Sequence, residues 1–238
     1  MAMRPDGRAP DELRLTRFTP DYVVYPEGSV LVEVGETRVL CNLTVGEKLP
    51  AWRQSSGAGW LTAEYALLPR STHVRSPRET MGLRGRTQEV RRLIGRSLRA
   101  AVDLEKIGPR QLILDCDVLQ ADGGTRCAAI VGGYVALALA LRRLSEQGVV
   151  SSEALLQPVA AVSVGVVDGE PRLDLCYAED AQADVDLNVV ADAHGRFIEV
   201  QGTAEGQPFD RATLDSLLDL ALGGIEELVR LQRSAIEN

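Results

Sequence analysis

Three groups of residues have the types and spacing to handle a phosphate ester. The first is Gly123-Gly124-Thr125-Arg126, at the head of a long apolar run. Glycines let a backbone approach an anion closely. Thr125 brings a hydroxyl, and Arg126 brings a planar fork suited to phosphate oxygens. A helix that starts there adds free N–H groups and the positive end of its dipole. The second group lies in the acidic stretch 174–188, where Asp180 and Asp186 are six residues apart. On one extended strand that span is roughly 20 Å, too far to share a metal. With Glu179 to Ala183 as the turn of a hairpin, the two carboxylates face each other across its base. Two oxygen ligands, completed by waters and a phosphate, suit Mg²⁺. The third group is Arg70 to Arg99, with nine arginines against Glu79 and Glu89. Blander readings stand beside these: a tight turn with a surface arginine, acids that solvate a hairpin turn, and a solvated helix face.

The elements that must position these groups centre on residues 112–144. Leu112 to Leu119 reads as a buried strand and Asp122-Gly123-Gly124 as a turn. Thr125 to Leu144 is apolar on nearly every face, the mark of a helix buried in the core. Upstream, Leu13 to Phe18 alternates like a strand. Ser29 to Val34 and Thr37 to Leu43 form a hairpin, and Trp60 to Leu68 is a further strand. Thr87 is placed to cap a helix whose core face carries Val90, Leu93, Ile94, Leu98, Ala101 and Val102. Arg91, Arg92, Arg96 and Arg99 fall elsewhere on it and read as a solvated or acid-paired face. Arg70 to Arg86 reads as a loop with few acids, a local site for a polyanion. Downstream, Val159 to Val167 and Leu173 to Tyr177 make a second hairpin. Strands follow at Asp184 to Val190 and Arg196 to Val200, then a loop from Gln201 to Gln207. Asp210 caps a last helix to about Gln232, with Leu214, Leu217, Leu218 and Ala221 inside. The order predicts a mixed α/β (α+β) fold in a single unit spanning 1–238, with a weak internal pseudo-repeat in its two hairpins.

Composition is ordinary for a soluble globular protein: 45% hydrophobic and 25% charged over 238 residues. The net charge of −8 is uneven, +3 over residues 1–119 and −11 over 120–238. Cys41, Cys116, Cys127 and Cys176 form no CxxC pair and read as buried free thiols. The Ala128 to Leu141 run is about the length of a buried helix and short of a bilayer span. The start lacks the apolar core of a signal peptide, so the expected location is cytoplasmic, with no membrane partner.

Several motifs resemble the bacterial ribonuclease PH family over nearly the whole chain and in order. They are Arg4-Pro-Asp-Gly-Arg8, Glu27 to Glu33, Leu61 to Tyr65, Leu68 to His73, Gly85-Arg-Thr87, Leu114 to Arg126 and Glu199 to Gly206. The resemblance implies a ribonuclease PH-type fold with mixed sheets and packed helices. It implies a phosphate-dependent 3′→5′ exoribonuclease that trims tRNA precursors and releases nucleoside diphosphates, with a reverse reaction that adds nucleotides. It assigns inorganic phosphate to Arg86, Gly124, Thr125 and Arg126, and catalysis with Mg²⁺ to Asp180 and Asp186. Arg70, Arg75 and Arg78 are associated with tRNA binding and assembly of a homo-hexamer, a trimer of dimers. The chain departs from the pattern in a short loop before Gly85 and in Met-Ala before Met3.

Two other classes compete. A non-catalytic ring subunit that only binds RNA does not need Arg86, Arg126, Asp180 and Asp186 together. A small-molecule kinase calls for a longer glycine-rich loop with a lysine, and none lies near Gly124.

Overall fold

The computed structural model of the chain describes residues 4–80, 82 and 84–237; Met1 to Met3 lie outside them. Two sheets flank a central helix. The first sheet holds β1 (Thr16–Pro20), β2 (Gly28–Val34), β3 (Thr37–Gly46), β4 (Trp60–Leu67) and β5 (Gln111–Gln120), in the order β1-β2-β3-β5-β4. It is mixed: β4 runs parallel to β5, and every other pair is antiparallel. A 3₁₀ turn (Ala51–Ser56) precedes β4. Helices α1 (Gly85–Arg99) and α2 (Leu104–Ile107) fill the long crossover from β4 to β5. After α3 (Thr125–Glu146) comes a purely antiparallel sheet, β7-β6-β8-β9. It is built from β6 (Val159–Val167), β7 (Glu170–Leu173), β8 (Val185–Asp192) and β9 (Phe197–Ala204). The single turn α4 (Tyr177–Asp180) sits between β7 and β8, and α5 (Arg211–Glu237) closes the chain.

Strand β5 shows why the pattern folds this way. Leu112, Leu114, Cys116 and Val118 alternate into the core, and Asp115 and Asp117 point to the other face. Helix α3 is buried without a break from Cys127 to Leu141. It packs on β2 and β3 on one side and on β6 on the other, so no face is left for polar residues. The expectation that this run falls short of a bilayer needs correction. The helix has 22 residues and is long and apolar enough to cross a membrane, yet 89% of its apolar window is buried inside the chain.

The packing of α3 is close enough to exclude a methyl group. A Cβ on Gly28 would lie 2.0 Å from the Ala136 carbonyl oxygen, backbone that cannot swing away. Gly28→Ala should therefore destabilise the protein by about 1–3 kcal/mol, read as a lower denaturant midpoint. A wild-type midpoint would show that the strand and helix can part at little cost.

Several local expectations are corrected. Thr87 lies inside the first turn of α1, which starts at Gly85 after the extended Arg84; its hydroxyl donates to Glu79 Oε1 at 2.8 Å. Ala101 and Val102 are buried but lie beyond the end of α1. The first strand begins at Thr16, not Leu13. The strand expected at Leu173 to Tyr177 is β7, which ends at Leu173, and Tyr177 opens α4 instead. Gln201 to Ala204, expected as loop, extends β9 along β8. Asp210 does cap α5, accepting from the Thr213 N–H at 2.8 Å. Both hairpins form, but β2 and β3 lie inside their sheet and β7 lies at an edge. All four cysteines are buried and free, and burial pushes the Cys127 thiol up to about 12.

Candidate active site

The end of β5 and the start of α3 form the floor of the site. Gly123 and Gly124 take left-handed φ values of 74° and 65°, which glycine adopts without strain. The turn is held from three directions. Ala121 N–H donates to the Ser71 carbonyl at 2.8 Å. Thr37 Oγ1 donates to the Gly123 carbonyl at 2.7 Å and accepts from the Asp122 N–H at 2.9 Å. Arg14 Nη1 donates to the Asp122 carbonyl at 2.6 Å. Thr125 then starts α3, and its hydroxyl shares a 2.8 Å hydrogen bond with the buried Tyr65 hydroxyl. Burial raises the Tyr65 pKa, opposed by that bond and by Arg86 and Arg126.

The acidic wall comes from the second sheet. The hairpin expected between Asp180 and Asp186 is not there, because β7 and β8 both pair with β6 rather than with each other. The single turn α4 shortens the path instead: Asp180 ends it and Asp186 is the second residue of β8. Both line one cavity of about 510 Å³ together with Arg86, Gly124, Thr125, Arg126, Ser163 and Asn188. Burial, with the charge of Asp180, pushes the Asp186 carboxyl up to about 6, against the pull of Arg126. Asp186 Oδ1 is buried with no hydrogen-bond partner. A buried carboxylate oxygen left over in this way fits a hard cation. Among the described residues no cluster of three or more metal-ligating side chains exists. In the cavity lining, Asp180 and Asp186 are the carboxylates that would hold such an ion.

The basic residues divide. Arg86, the second residue of α1, and Arg126 reach the cavity. Arg126 is half-buried, 3.4 Å from Gln201 Oε1 and 3.6 Å from Glu89. Arg70, Arg75 and Arg78 are exposed on the loop between β4 and α1, and they do not line the cavity. That loop presents Thr72, His73, Val74 and Ser76 to it. Arg91 pairs with Glu64, and Arg96 pairs with Glu199 at 2.7 Å. Arg99 stacks over Trp60, 4.6 Å from the ring centroid. Arg91 and Arg96 thus fit the acid-paired face read from the sequence and the exposed Arg92 the solvated one, while Arg99 packs on an aromatic ring instead.

Behind the cavity lies a buried ionic cluster that residue spacing did not reveal. Arg4 donates to both Glu179 oxygens at 2.8 Å and to the carbonyls of Leu173 and Asp174. Arg172 reaches Glu179 at 3.2 Å, and Arg14 grips both oxygens of Asp174 at 3.0 and 2.7 Å. Glu179 adjoins Asp180, and Arg14 also holds the glycine turn, so one cluster braces both walls. Burial alone would raise the Glu179 pKa; the bonds from Arg4 and the Cys176 N–H, with Arg4 and Arg8 nearby, lower it. The Arg-Pro-Asp-Gly-Arg motif was the available signal, but it named no partners.

Arg126 offers the cavity a guanidinium suited to a phosphate-sized anion, and a substitution tests that role. Arg126→Ala should raise the KM for inorganic phosphate roughly tenfold to a hundredfold while RNA still binds, since a charge-assisted contact is worth about 1.5–3 kcal/mol. Unchanged phosphate dependence in steady-state assays would assign Arg126 to structure alone.

An anion-binding glycine turn at a helix start, facing paired carboxylates across two sheets, defines a phosphoryl-transfer site on an α/β scaffold. Residues 12–142 match the first domain of the 3′ exoribonuclease family and residues 157–224 match the second, so the chain belongs to that family. Within it, the chain is 57% identical over 239 residues to "Ribonuclease PH" of Nocardia farcinica, covering 99% of this chain and 93% of that one. It is 54% identical to "Ribonuclease PH" of Syntrophomonas wolfei, covering 98% of each. The fold matches rice Rrp46 with a TM-score of 0.80 at 19% identity, covering 98% of this chain and all of that one. It matches an Archaeoglobus fulgidus exosome chain, solved with RNA bound to the active site, with a TM-score of 0.79 at 23% identity over 95% and 91% of the two chains.

Proposed function

We propose that the chain is a phosphate-dependent 3′→5′ exoribonuclease that trims the 3′ ends of tRNA precursors. One observation carries the reading: Arg86 and the Gly124-Thr125-Arg126 turn share a cavity with Asp180 and Asp186. Inorganic phosphate seated on the arginines and the α3 N-terminus attacks the last internucleotide phosphorus. A new P–O bond forms, the bond to the 3′ oxygen of the preceding nucleotide breaks, and that oxygen takes a proton. The products are a nucleoside diphosphate and an RNA shorter by one residue; reversal adds a nucleotide from a nucleoside diphosphate. Two anions must meet, so positioning and neutralisation by Arg86, Arg126 and the helix N–H groups supply most of the catalysis. Bound Mg²⁺ on Asp180 and Asp186 would supply positive charge to the scissile group. A Mg²⁺-dependent rise in melting temperature that disappears in Asp186→Asn tests that site without an activity assay.

RNA digestion with and without inorganic phosphate tests the reaction. Nucleoside diphosphates released only with phosphate are expected; nucleoside monophosphates would show hydrolysis instead.

Part of the proposal concerns assembly. The turn after β1 exposes Tyr22, Val24 and Tyr25, the last at 95%. Such an apolar surface suits burial by a neighbouring subunit, in keeping with a homo-hexamer built as a trimer of dimers and working in the cytoplasm. Several copies of the Arg70, Arg75 and Arg78 loop would then act on one folded RNA. Replacing all three by Ala should weaken precursor tRNA binding far more than turnover of a short oligonucleotide, and sedimentation should report any fall from hexamer to dimer. Equal loss on both substrates would place the loop in the catalytic centre.

A further inference from the structure

Tyr177 and His73 stand at the mouth of the cavity, and neither has a role in the phosphate chemistry. Tyr177 is the first residue of α4, three positions before Asp180, and it stays 55% exposed. Its backbone is nonetheless pinned. The Tyr177 N–H lies 3.4 Å from Asp122 Oδ1. A Cβ on Gly123 would sit 2.8 Å from the Tyr177 nitrogen, so the glycine turn and α4 touch there. His73, from the loop that carries Arg70, Arg75 and Arg78, faces the tyrosine with ring centroids 6.3 Å apart and planes tilted by 49°. Both rings line the same cavity as Arg86, Arg126 and the two aspartates. A half-exposed tyrosine ring on a pinned backbone at a cavity mouth offers a flat apolar face to whatever enters.

We infer that Tyr177, with His73 beside it, is a stacking platform for a nucleobase at the RNA 3′ end, one of the two that flank the scissile phosphodiester. The inference rests on the exoribonuclease reading above and adds a base subsite to it. The chemistry fits an enzyme that removes nucleotides in succession. Every base has a π-face, so stacking holds the strand whatever its sequence, whereas hydrogen bonds to base edges would favour particular nucleotides. The platform also links two parts of the molecule: the loop that bears the exposed arginines delivers His73, and the turn that bears Asp180 delivers Tyr177.

The test crosses a protein change with a substrate change. Short single-stranded RNAs, intact or abasic at the terminal or the penultimate position, are given to the wild type, Tyr177→Ala and Tyr177→Phe at saturating phosphate. In the wild type, removing the stacked base should lower kcat/KM roughly tenfold, the scale of one base–aromatic stack. Tyr177→Ala should show that loss already on intact RNA and lose little more on the abasic one. Tyr177→Phe should behave as wild type, and the KM for phosphate should stay constant across the three proteins. An abasic penalty equally large in wild type and Tyr177→Ala at both positions would overturn the platform while leaving the exoribonuclease reading intact. Absence of phosphate-dependent product from the wild type would overturn that reading, and the platform with it.

Discussion

Asp186→Asn is expected to abolish phosphorolysis and leave the fold intact. The side chains have the same shape, and the cavity already crowds this carboxylate: burial and Asp180 push it up to about 6, and its Oδ1 has no partner. Removing the charge therefore breaks no hydrogen bond made by that oxygen and relieves repulsion from Asp180, so thermal stability should hold or rise. Activity should fall by at least about a hundredfold in both directions, the scale of losing one aligned catalytic group. Asp180→Asn should do the same to activity, because both carboxylates line the same cavity. Near-normal turnover in either variant would return these acids to the solvated-turn reading.

The largest stability effect is expected at Glu179. Its side chain is buried and takes hydrogen bonds from Arg4, Arg172 and the Cys176 N–H. Glu179→Ala would take the carboxylate partner from the buried Arg4 guanidinium, a change that typically costs about 3–5 kcal/mol. Glu179→Gln keeps the shape and should recover only part of that. The sign with pH is fixed by the lowered pKa. The folded protein holds Glu179 ionised below its ordinary value of 4.5. Its contribution is thus complete above about pH 4.5 and is lost as pH falls through the depressed folded value. Denaturant midpoints measured from pH 7 down to pH 3 should converge for wild type and Glu179→Gln at the acid end. A constant gap over that range would mean that Glu179 stabilises by shape rather than charge.

What could be read from the sequence followed physical simplicity. The strand, glycine turn and buried helix from Gln111 to Glu146 were legible because each signal is local: alternation, glycines with left-handed φ, then unbroken apolarity. Gly124, Thr125 and Arg126 sit on that turn and helix start, so their proximity could be foreseen; Arg86 arrives from α1, and only the tertiary fold brings it to them. The aspartates were located, but the way they meet was not. A one-turn helix such as α4 has too few residues to show a period, and pairing of β8 with β6 rather than β7 is a long-range choice. The end of β9 was missed because Gln201-Gly202-Thr203 looks like a loop, while its ladder to β8 overrides that weak propensity. The Arg4–Glu179 pair is invisible to any local rule, because 175 residues separate its members.

That separation also orders events in time. Arg4 emerges from the ribosome 175 residues before Glu179. At 5–20 residues per second the interval is roughly 10–35 s. Throughout it Arg4 lacks its carboxylate partner, and the turn that carries Asp180 does not yet exist. The first sheet can form early, but the cavity is complete only when α4 and β8, from the last third of the chain, supply Asp180 and Asp186. Until then the chain lacks the acidic wall of the cavity, so the step that completes the fold also completes the site.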